Sequence, residues 1–165
     1  MKTMTLNHYL NQVLCTDEPA LNLLFSRLFQ EVTYTKNTMI YQKGKMPFFL
    51  CYLQKGAAMA LSQSAPKRQV LRIWEPEQFI CPVGFFSHAP MSHSVFTLED
   101  CTLYMLHFKP LYQFLSKFPI AYKILNAIMK EEIRLLKRNI KSLSQNSGFQ
   151  NHEALLEALS ITYNE

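Results

Sequence analysis

The side chains that could carry catalysis or bind a metal are few and widely spaced in this chain. The candidate metal ligands are His88, His93, Glu99 and His107. A cupin-type metal site in a small β-barrel uses imidazoles that project from one strand face in a close His-x-His pair, and the sequence contains no such pair. It also contains no G-x-S-x-G, H-E-x-x-H or phosphate-cradling glycine motif. We therefore predict no enzyme activity, no metal site and no cofactor, and keep a cupin-type metalloenzyme only as a minor alternative.

The cysteines are the next candidates for chemistry, and no two of them form a C-x-x-C pair. They are Cys15, Cys51, Cys81 and Cys101. Zinc sites and dense disulfide frameworks use closely spaced cysteines, and an iron–sulfur cluster needs several thiolates in one loop. An iron–sulfur or haem sensor is accordingly disfavoured, and we predict reduced, mostly buried thiols.

A third candidate site is the segment Pro82–Phe86, whose proline suits the first position of a single helical turn. The N-terminus of a helix attracts an anion, and Ser92, His93 and Ser94 offer hydroxyl and imidazole donors nearby. The apolar side chains around this turn leave two interpretations open. They either fill the interior of a β-barrel or line a pocket that suits an apolar or aromatic effector better than a nucleotide. These side chains are Phe79, Ile80, Val83, Phe85 and Phe86.

The elements that must position these residues belong to one folded domain. The chain has 165 residues, a formal net charge of +5 and 48% hydrophobic residues, which suits a globular domain with a sizeable core and not a disordered chain. No apolar run approaches the roughly 18 residues that a membrane helix requires, and the N-terminus lacks the apolar stretch of a signal peptide. We therefore expect a cytoplasmic protein with no membrane partner.

Short β-branched and aromatic runs, separated by turn residues, fill the middle of the chain. Turns are indicated by Lys43-Gly44-Lys45, by Lys55-Gly56, and by residues 64–67 and 75–77. Regular spacing of this kind is typical of a closed sandwich or barrel of short antiparallel strands. The predicted strands cover residues 32–35, 38–42, 49–54, 57–63, 68–74, 92–98 and 103–108.

Helical patterns flank the strands. Residues 6–30 predict two short helices broken near Pro19, with Asp17 as the N-cap of the second. Prolines at N1-like positions predict a short helix over residues 110–117 and a long helix over residues 119–147. A last amphipathic stretch covers residues 149–163.

Apolar residues on the long helix recur at the alternating spacings of a coiled-coil seam. With Ile133 and Ile140 at a positions and leucines at d, the pattern favours two parallel helices. The same phase places Glu132 at g and Lys137 at e, where a parallel partner offers the opposite charge. We therefore predict a parallel homodimer with an exposed Glu132–Lys137 pair between the chains. The seam starts at Leu125, and its interface residues are Met129, Ile133, Leu136, Ile140 and Leu143.

This organisation resembles the effector half of the Crp/Fnr family, the cyclic-nucleotide-receptor regulators of bacteria. The resemblance covers residues 20–147 and rests on Gly44, Gly56 and the strand between them, followed in order by residues 76–80, 89–95, 98–101 and 111–119. It implies an α+β, mainly β, fold: an antiparallel double-stranded β-helix, or jelly-roll β-roll, with N-terminal helices and a long C-terminal dimerisation helix. Residues 1–147 then form an effector domain, with the dimerisation helix at about 119–147, and residues 148–165 a C-terminal helical remnant.

The sequence departs from this family at the phosphate-binding residues. Members that bind cyclic AMP have a Gly-Glu pair at the start of a short helix and an Arg-Ser or Arg-Thr pair that binds the phosphate. The matching positions here are Cys81 and Pro82, then Met91 and Ser92. A charge-assisted hydrogen bond is worth roughly 1.5 to 3 kcal/mol, so the loss of both the glutamate and the arginine predicts no cyclic AMP binding. The pocket residues for another, unidentified small-molecule effector are Phe79, Ile80, Cys81, Pro82, Val83, Met91, Ser92 and His93.

The excess positive charge lies mainly in residues 130–141 of the long helix. These cations lack the interleaved aromatic residues of a nucleic-acid platform, so a solvated helix face is favoured.

The family reads DNA through a C-terminal helix-turn-helix, and the residues that follow Gly148 are too few for one. We therefore expect no specific DNA binding by this chain alone and predict a signal-sensing domain related to transcription regulators. A dimeric protein-interaction module without a ligand is the alternative.

Overall fold

Two four-stranded antiparallel sheets form the body of the molecule, and helices cover the outer face of one of them. The structure, a computed structural model, describes residues 5–12, 18–62 and 69–145, with side chains through residue 139. The helices are α1 (Leu6–Gln12), α2 (Pro19–Ser26), α3 (Pro82–Phe86), α4 (Phe108–Lys117) and α5 (Tyr122–Gln145), and a short 3-10 helix (Pro119–Ala121) precedes α5. The strands are β1 (Gln30–Tyr34), β2 (Met39–Tyr41), β3 (Phe49–Lys55), β4 (Ala58–Ser62), β5 (Gln69–Trp74), β6 (Gln78–Ile80), β7 (Ser94–Thr97) and β8 (Cys101–His107).

The chain passes back and forth between the two sheets, as it does in a jelly roll. One sheet has the order β1-β8-β3-β6 and the other has the order β2-β7-β4-β5. The consecutive strands β3 and β4 therefore lie in different sheets, joined by a turn at Gly56. This arrangement confirms the predicted antiparallel β-roll with N-terminal helices and a long helix near its C-terminal end.

Residues 49–53 of strand β3 form an unbroken apolar run, and burial on both faces of the strand explains it. Leu50 and Tyr52 belong to the cluster that packs under the helices, whereas Cys51 and Leu53 belong to the cluster inside the roll. Successive side chains of a strand point to opposite faces, so a strand covered on both faces must be apolar throughout. Tyr9 of α1 packs on Tyr52 with ring centroids 5.2 Å apart, which ties the first helix to this sheet.

Helix α5 packs one face against the rest of the domain. The buried side chains of this face include Ile124, Ile128, Glu132 and Leu135, which recur every three or four residues. The first part of α5 contributes to the core under the helices, and α5 also contacts α3. None of the helices within the described ranges is long and apolar enough to span a membrane.

Glycines in two of the predicted turns have a positive φ. Gly44 has a φ of 79° and Gly56 a φ of 93°, in the left-handed region that costs other residues energy. The three cysteines in the described part of the chain, Cys51, Cys81 and Cys101, are free and buried, as predicted. Cys15 lies outside the described residues.

Other local predictions need correction. Strand β6 was not predicted, because three residues after a turn are too short to show a periodic pattern. Helix α4 begins at Phe108 and not at Pro110, and it tolerates the proline because the first four N–H groups of a helix have no intrahelical acceptor. The predicted N-cap Asp17, the stretch at 149–163 and the side chains of Ile140 and Leu143 lie outside what the structure describes.

Candidate functional site

A cavity of about 500 Å³ opens between the sheet that contains β5, the segment from α3 to β7, and helix α5. Its size is in the range of small-molecule sites. Most of its wall is apolar. The side chains and backbone that line it belong to Ala60, Leu71, Arg72, Trp74, Cys81, Val83, Gly84, Ser87, Ala89, Pro90, Met91, Ser92, His93, Glu132 and Leu136.

Helix α3 forms one wall, and Met91 is packed directly against it. Pro82 occupies the first turn of α3, after Cys81 with a left-handed φ of 50°. A Cβ built on Gly84 would lie 3.0 Å from Met91 Sδ, so the thioether touches the helix backbone. The backbone of Met91 is fixed on both sides, since its N–H donates to Lys45 O at 2.9 Å and its carbonyl accepts from Gly44 N–H at 2.8 Å. Met91 is only 5% exposed and therefore fills space beside the turn.

A chain of polar contacts joins Cys81, His93 and Ser92 at this wall. Cys81 Sγ lies 3.7 Å from His93 Nε2, and Ser92 Oγ lies 2.9 Å from His93 Nδ1. Burial raises the pKa of the Cys81 thiol to about 12. Burial, and then the nearby Arg72 cation, lower the pKa of His93 below its ordinary value. A protonated thiol and a neutral imidazole are therefore the forms that these two groups take at neutral pH.

The opposite wall carries a buried ion pair that the sequence did not predict. Arg72 on β5 donates through both terminal nitrogens to the carboxylate of Glu132 on α5, with Nη2 3.0 Å from Oε2. The guanidinium carbon also lies 4.7 Å from the ring centroid of Trp74, two residues along the same strand face. Glu132 is only 4% exposed. The predicted exposed position of Glu132, opposite Lys137 of a second chain, is therefore wrong.

The structure brings five of the eight predicted pocket residues to the cavity wall, namely Cys81, Val83, Met91, Ser92 and His93. The other three are buried and do not line it: Phe79 lies in the core under the helices, Ile80 inside the roll and Pro82 in α3.

Sequence reasoning missed Arg72 and Trp74. Arg72 and Trp74 lie on the same face of β5 as the buried Val70, and the residues between them on the strand are exposed or half-buried. An arginine on the inward face of a predicted strand was the signal available in the sequence.

The four candidate metal ligands do not come together. His88 packs on the ring of Phe108, with centroids 4.9 Å apart, and His107 packs on Phe49 at 5.9 Å. His93 contacts Ser92 and Cys81. Within the described ranges no group of three or more His, Cys, Asp or Glu residues has the geometry of a metal site.

The outer face of α5 holds the other predicted residues. Ile133 is 48% exposed, Lys137 is exposed, and Met129 is half-buried. Leu136 is partly exposed but also lines the cavity. This face has no covering within the described chain, and the predicted dimer seam stays a prediction.

Comparison with known proteins identifies the fold. The family model described as cyclic nucleotide-binding domain matches residues 31–118. No curated protein matches the sequence.

Three solved structures share the fold at low sequence identity. The catabolite activator protein of Thermus thermophilus is 18% identical with a TM-score of 0.63, and the alignment covers 82% of this chain and 63% of that one. The N-terminal domain of a transcriptional regulator from Streptomyces coelicolor A3(2) is 17% identical with a TM-score of 0.63, covering 84% and 94%. The regulatory domain of Toxoplasma gondii PKA, crystallised with cAMP, is 18% identical with a TM-score of 0.59, covering 67% and 43%. This chain therefore spans less than two thirds of the length of the Thermus and Toxoplasma structures.

Proposed function

Because the chain belongs to the cyclic nucleotide-binding domain family, we propose that it is a regulatory, signal-sensing domain whose phosphate-binding segment has degenerated. Its role is sensing and not catalysis, in keeping with its structural likeness to a transcriptional regulator. It binds neither cyclic AMP nor cyclic GMP tightly. The observation that carries this proposal is the buried side chain of Met91, packed on Gly84 of α3 where a phosphate-binding arginine stands in family members that bind cyclic AMP.

The start of α3 supports the same proposal. Pro82 has no N–H to donate to a phosphate and no side-chain acceptor for a ribose hydroxyl. The lost charge-assisted bonds are worth roughly 1.5 to 3 kcal/mol each, and each 1.4 kcal/mol is a tenfold change in affinity. The cavity itself persists next to this segment, which favours a sensor for a different small molecule.

Titration calorimetry with cyclic AMP and cyclic GMP tests this proposal. We expect no saturable heat at ligand concentrations up to about the millimolar range. The regulatory domain of Toxoplasma gondii PKA, which was crystallised with cAMP, serves as the positive control. A micromolar dissociation constant for either nucleotide would show that the remaining hydroxyl, imidazole and backbone groups suffice, and the proposal would then be abandoned.

A dimeric interaction module that needs no ligand is the second candidate. The exposed apolar side chains of Ile133 and Leu136 on α5 favour it, because they leave an apolar stripe next to the core-facing side of the helix. In this form the domain pairs in parallel through α5, and the cavity is a by-product of the fold. Dimer formation is compatible with both candidates, so only a ligand-binding measurement distinguishes them.

A further inference from the structure

The cavity beneath α5 contains two charged side chains, and each neutralises the other. Within the described part of the chain Arg72 and Glu132 are the only lining residues of the Asp, Glu, Lys and Arg types. Their side chains are 10% and 5% exposed, and two hydrogen bonds join the guanidinium to the carboxylate. Both terminal nitrogens of Arg72 are therefore occupied by Glu132, and only its buried Nε has no hydrogen-bond partner among the described residues.

The remaining ionisable groups of the wall add no charge at neutral pH. The Cys81 thiol is protonated, because burial raises its pKa to about 12. His93 is neutral, because burial and the nearby Arg72 lower its pKa. The rest of the wall is apolar side chain, apart from the hydroxyls of Ser87 and Ser92 and the buried indole N–H of Trp74, which has no hydrogen-bond partner among the described residues.

An anionic ligand has no favourable way to enter this cavity. If it enters beside the intact ion pair, it loses its hydration and gains no counter-charge. If it displaces Glu132 from Arg72, it leaves the Glu132 carboxylate buried without a partner. A molecule without charge avoids both costs and gains from removing apolar surface from water.

From these observations we infer that the cavity binds an uncharged, mainly apolar small molecule that carries one neutral hydrogen-bonding group, and that it discriminates against carboxylates and phosphates. The inference rests on the proposed sensing function and specifies its ligand. Ser92 and His93 are placed to exchange hydrogen bonds with the neutral polar group, while Leu71, Val83 and Leu136 contact the apolar body.

The protein carries its own reporter for this test. Trp74 is the single tryptophan of the chain, lines the cavity and is 1% exposed. Its emission is recorded during titration with pairs of matched probes, adamantane-1-carboxamide against adamantane-1-carboxylate and cyclohexanecarboxamide against cyclohexanecarboxylate. At about pH 7.5 the members of a pair differ in charge and hardly in shape. Calorimetry of the same titrations provides a second readout.

We expect the amide to bind the natural chain at least about tenfold more tightly than the matching carboxylate, because only the carboxylate loses the hydration of a charge without gaining a counter-charge. Glu132→Gln frees Arg72, so the affinity for the carboxylate should rise by about tenfold or more while that for the amide changes little. The double variant Arg72→Met with Glu132→Leu removes both charges and should keep the preference for the amide. If the Glu132→Gln chain does not fold, the double variant still tests whether the cavity prefers the amide.

Each other result counts against the inference. If the carboxylate binds the natural chain as tightly as the amide, the inference on ligand charge is wrong, although the domain is still a sensor of small molecules. If no probe of either kind binds any of the three chains, both the inference and the proposed sensing function fail. If cyclic AMP binds with micromolar affinity and the amides do not, the proposed function fails in favour of a nucleotide receptor.

Discussion

At the scale of single residues, the contact between Arg72 and Glu132 decides the charge of the cavity and joins β5 to α5. Its partners are 60 positions apart in the chain and nearly buried. A buried ion pair is weak evidence for stability as such, because removing two charges from water costs about as much as their attraction returns. The loss of one partner is a different case, since the other charge stays buried alone.

The first prediction follows from this asymmetry. Glu132→Ala should lower the free energy of unfolding by about 3 to 5 kcal/mol, because it leaves the Arg72 cation buried without a counter-charge. Urea unfolding followed by circular dichroism measures the change. The matched control, Arg72→Met with Glu132→Leu, removes both charges and should regain most of the loss. A Glu132→Ala chain as stable as the natural one would show that the pair is not buried in solution.

A second prediction concerns His93 and pH. Burial and the Arg72 cation lower the pKa of His93 in the folded chain, whereas the unfolded chain titrates near the ordinary value of 6.5. As the pH falls through that value, the unfolded state takes up a proton that the folded state does not, so the free energy of unfolding decreases. Between about pH 7.5 and about pH 5.5 the natural chain should lose more stability than the His93→Asn variant.

Urea unfolding at the two pH values provides the comparison for this residue. The control for loss of a histidine as such is His8→Asn, at an exposed histidine of α1 that does not line the cavity. Equal pH dependence in the natural chain and the His93→Asn variant would contradict the assigned role of His93.

At the scale of elements, the turns that pass the chain between the two sheets are set by glycine backbone. Gly56, between β3 and β4, has a positive φ and also approaches another segment closely. A Cβ built on it would lie 2.6 Å from Cys101 Sγ and 2.7 Å from the carbonyl oxygen of Asp100. Gly44 has a similar φ, but no atom of another segment lies within 4 Å of its built Cβ. The two glycines therefore separate backbone strain from steric overlap.

The third prediction uses this difference between the two turns. Gly44→Ala should cost about 1 to 2 kcal/mol of stability, the price of a left-handed conformation for a residue with a Cβ. Gly56→Ala should cost about 1 to 3 kcal/mol more, because Cys101 and the backbone of Asp100 must also move. The unfolding free energies of the two variants are compared by urea denaturation. Equal losses would mean that the turn at Gly56 has space that the structure does not show.

At the scale of the whole molecule, helix α5 has two faces with different surroundings. One face packs on the domain through Ile124, Ile128 and Leu135, and it brings Glu132 to the cavity. The adjacent face leaves Ile133 exposed, and Leu136 lies at the border between this face and the cavity. A partner helix on this face would bury Leu136 more deeply.

The fourth prediction is a homodimer through this face of α5. Light scattering at about tens of micromolar chain should give twice the 19.3 kDa chain mass, since a standard interface associates more tightly than that. Ile133→Asp should produce a monomer, because an aspartate in the seam loses its hydration on association. The control is Ile120→Asp, whose residue is 46% exposed against 48% for Ile133 but lies in the 3-10 helix before α5. A natural chain that is monomeric at these concentrations would contradict the dimer.

The sequence alone determined the features that depend on local chemistry. Apolar runs, turn glycines and proline-initiated helices depend on neighbours within a few positions, so the short antiparallel strands, the helical turn at Pro82 and the turns at Gly44 and Gly56 could be predicted directly. Pro82 and Met91, which we propose to replace the phosphate-binding residues of the family, were identified for the same reason, because they lie in segments that resemble it.

Only the tertiary structure decided which face of α5 packs on the domain and which residues share the cavity. A seam pattern on one helix does not show which side chains of the adjacent face are buried in the same chain. Glu132 was therefore predicted to pair with Lys137 of a second chain, although it pairs with Arg72 of its own chain. That pairing depends on how α5 crosses β5, and the spacing of residues along the chain does not predict this crossing. The short strand β6 was hidden for a related reason, since its three residues are defined by pairing with β3 and not by a pattern of their own.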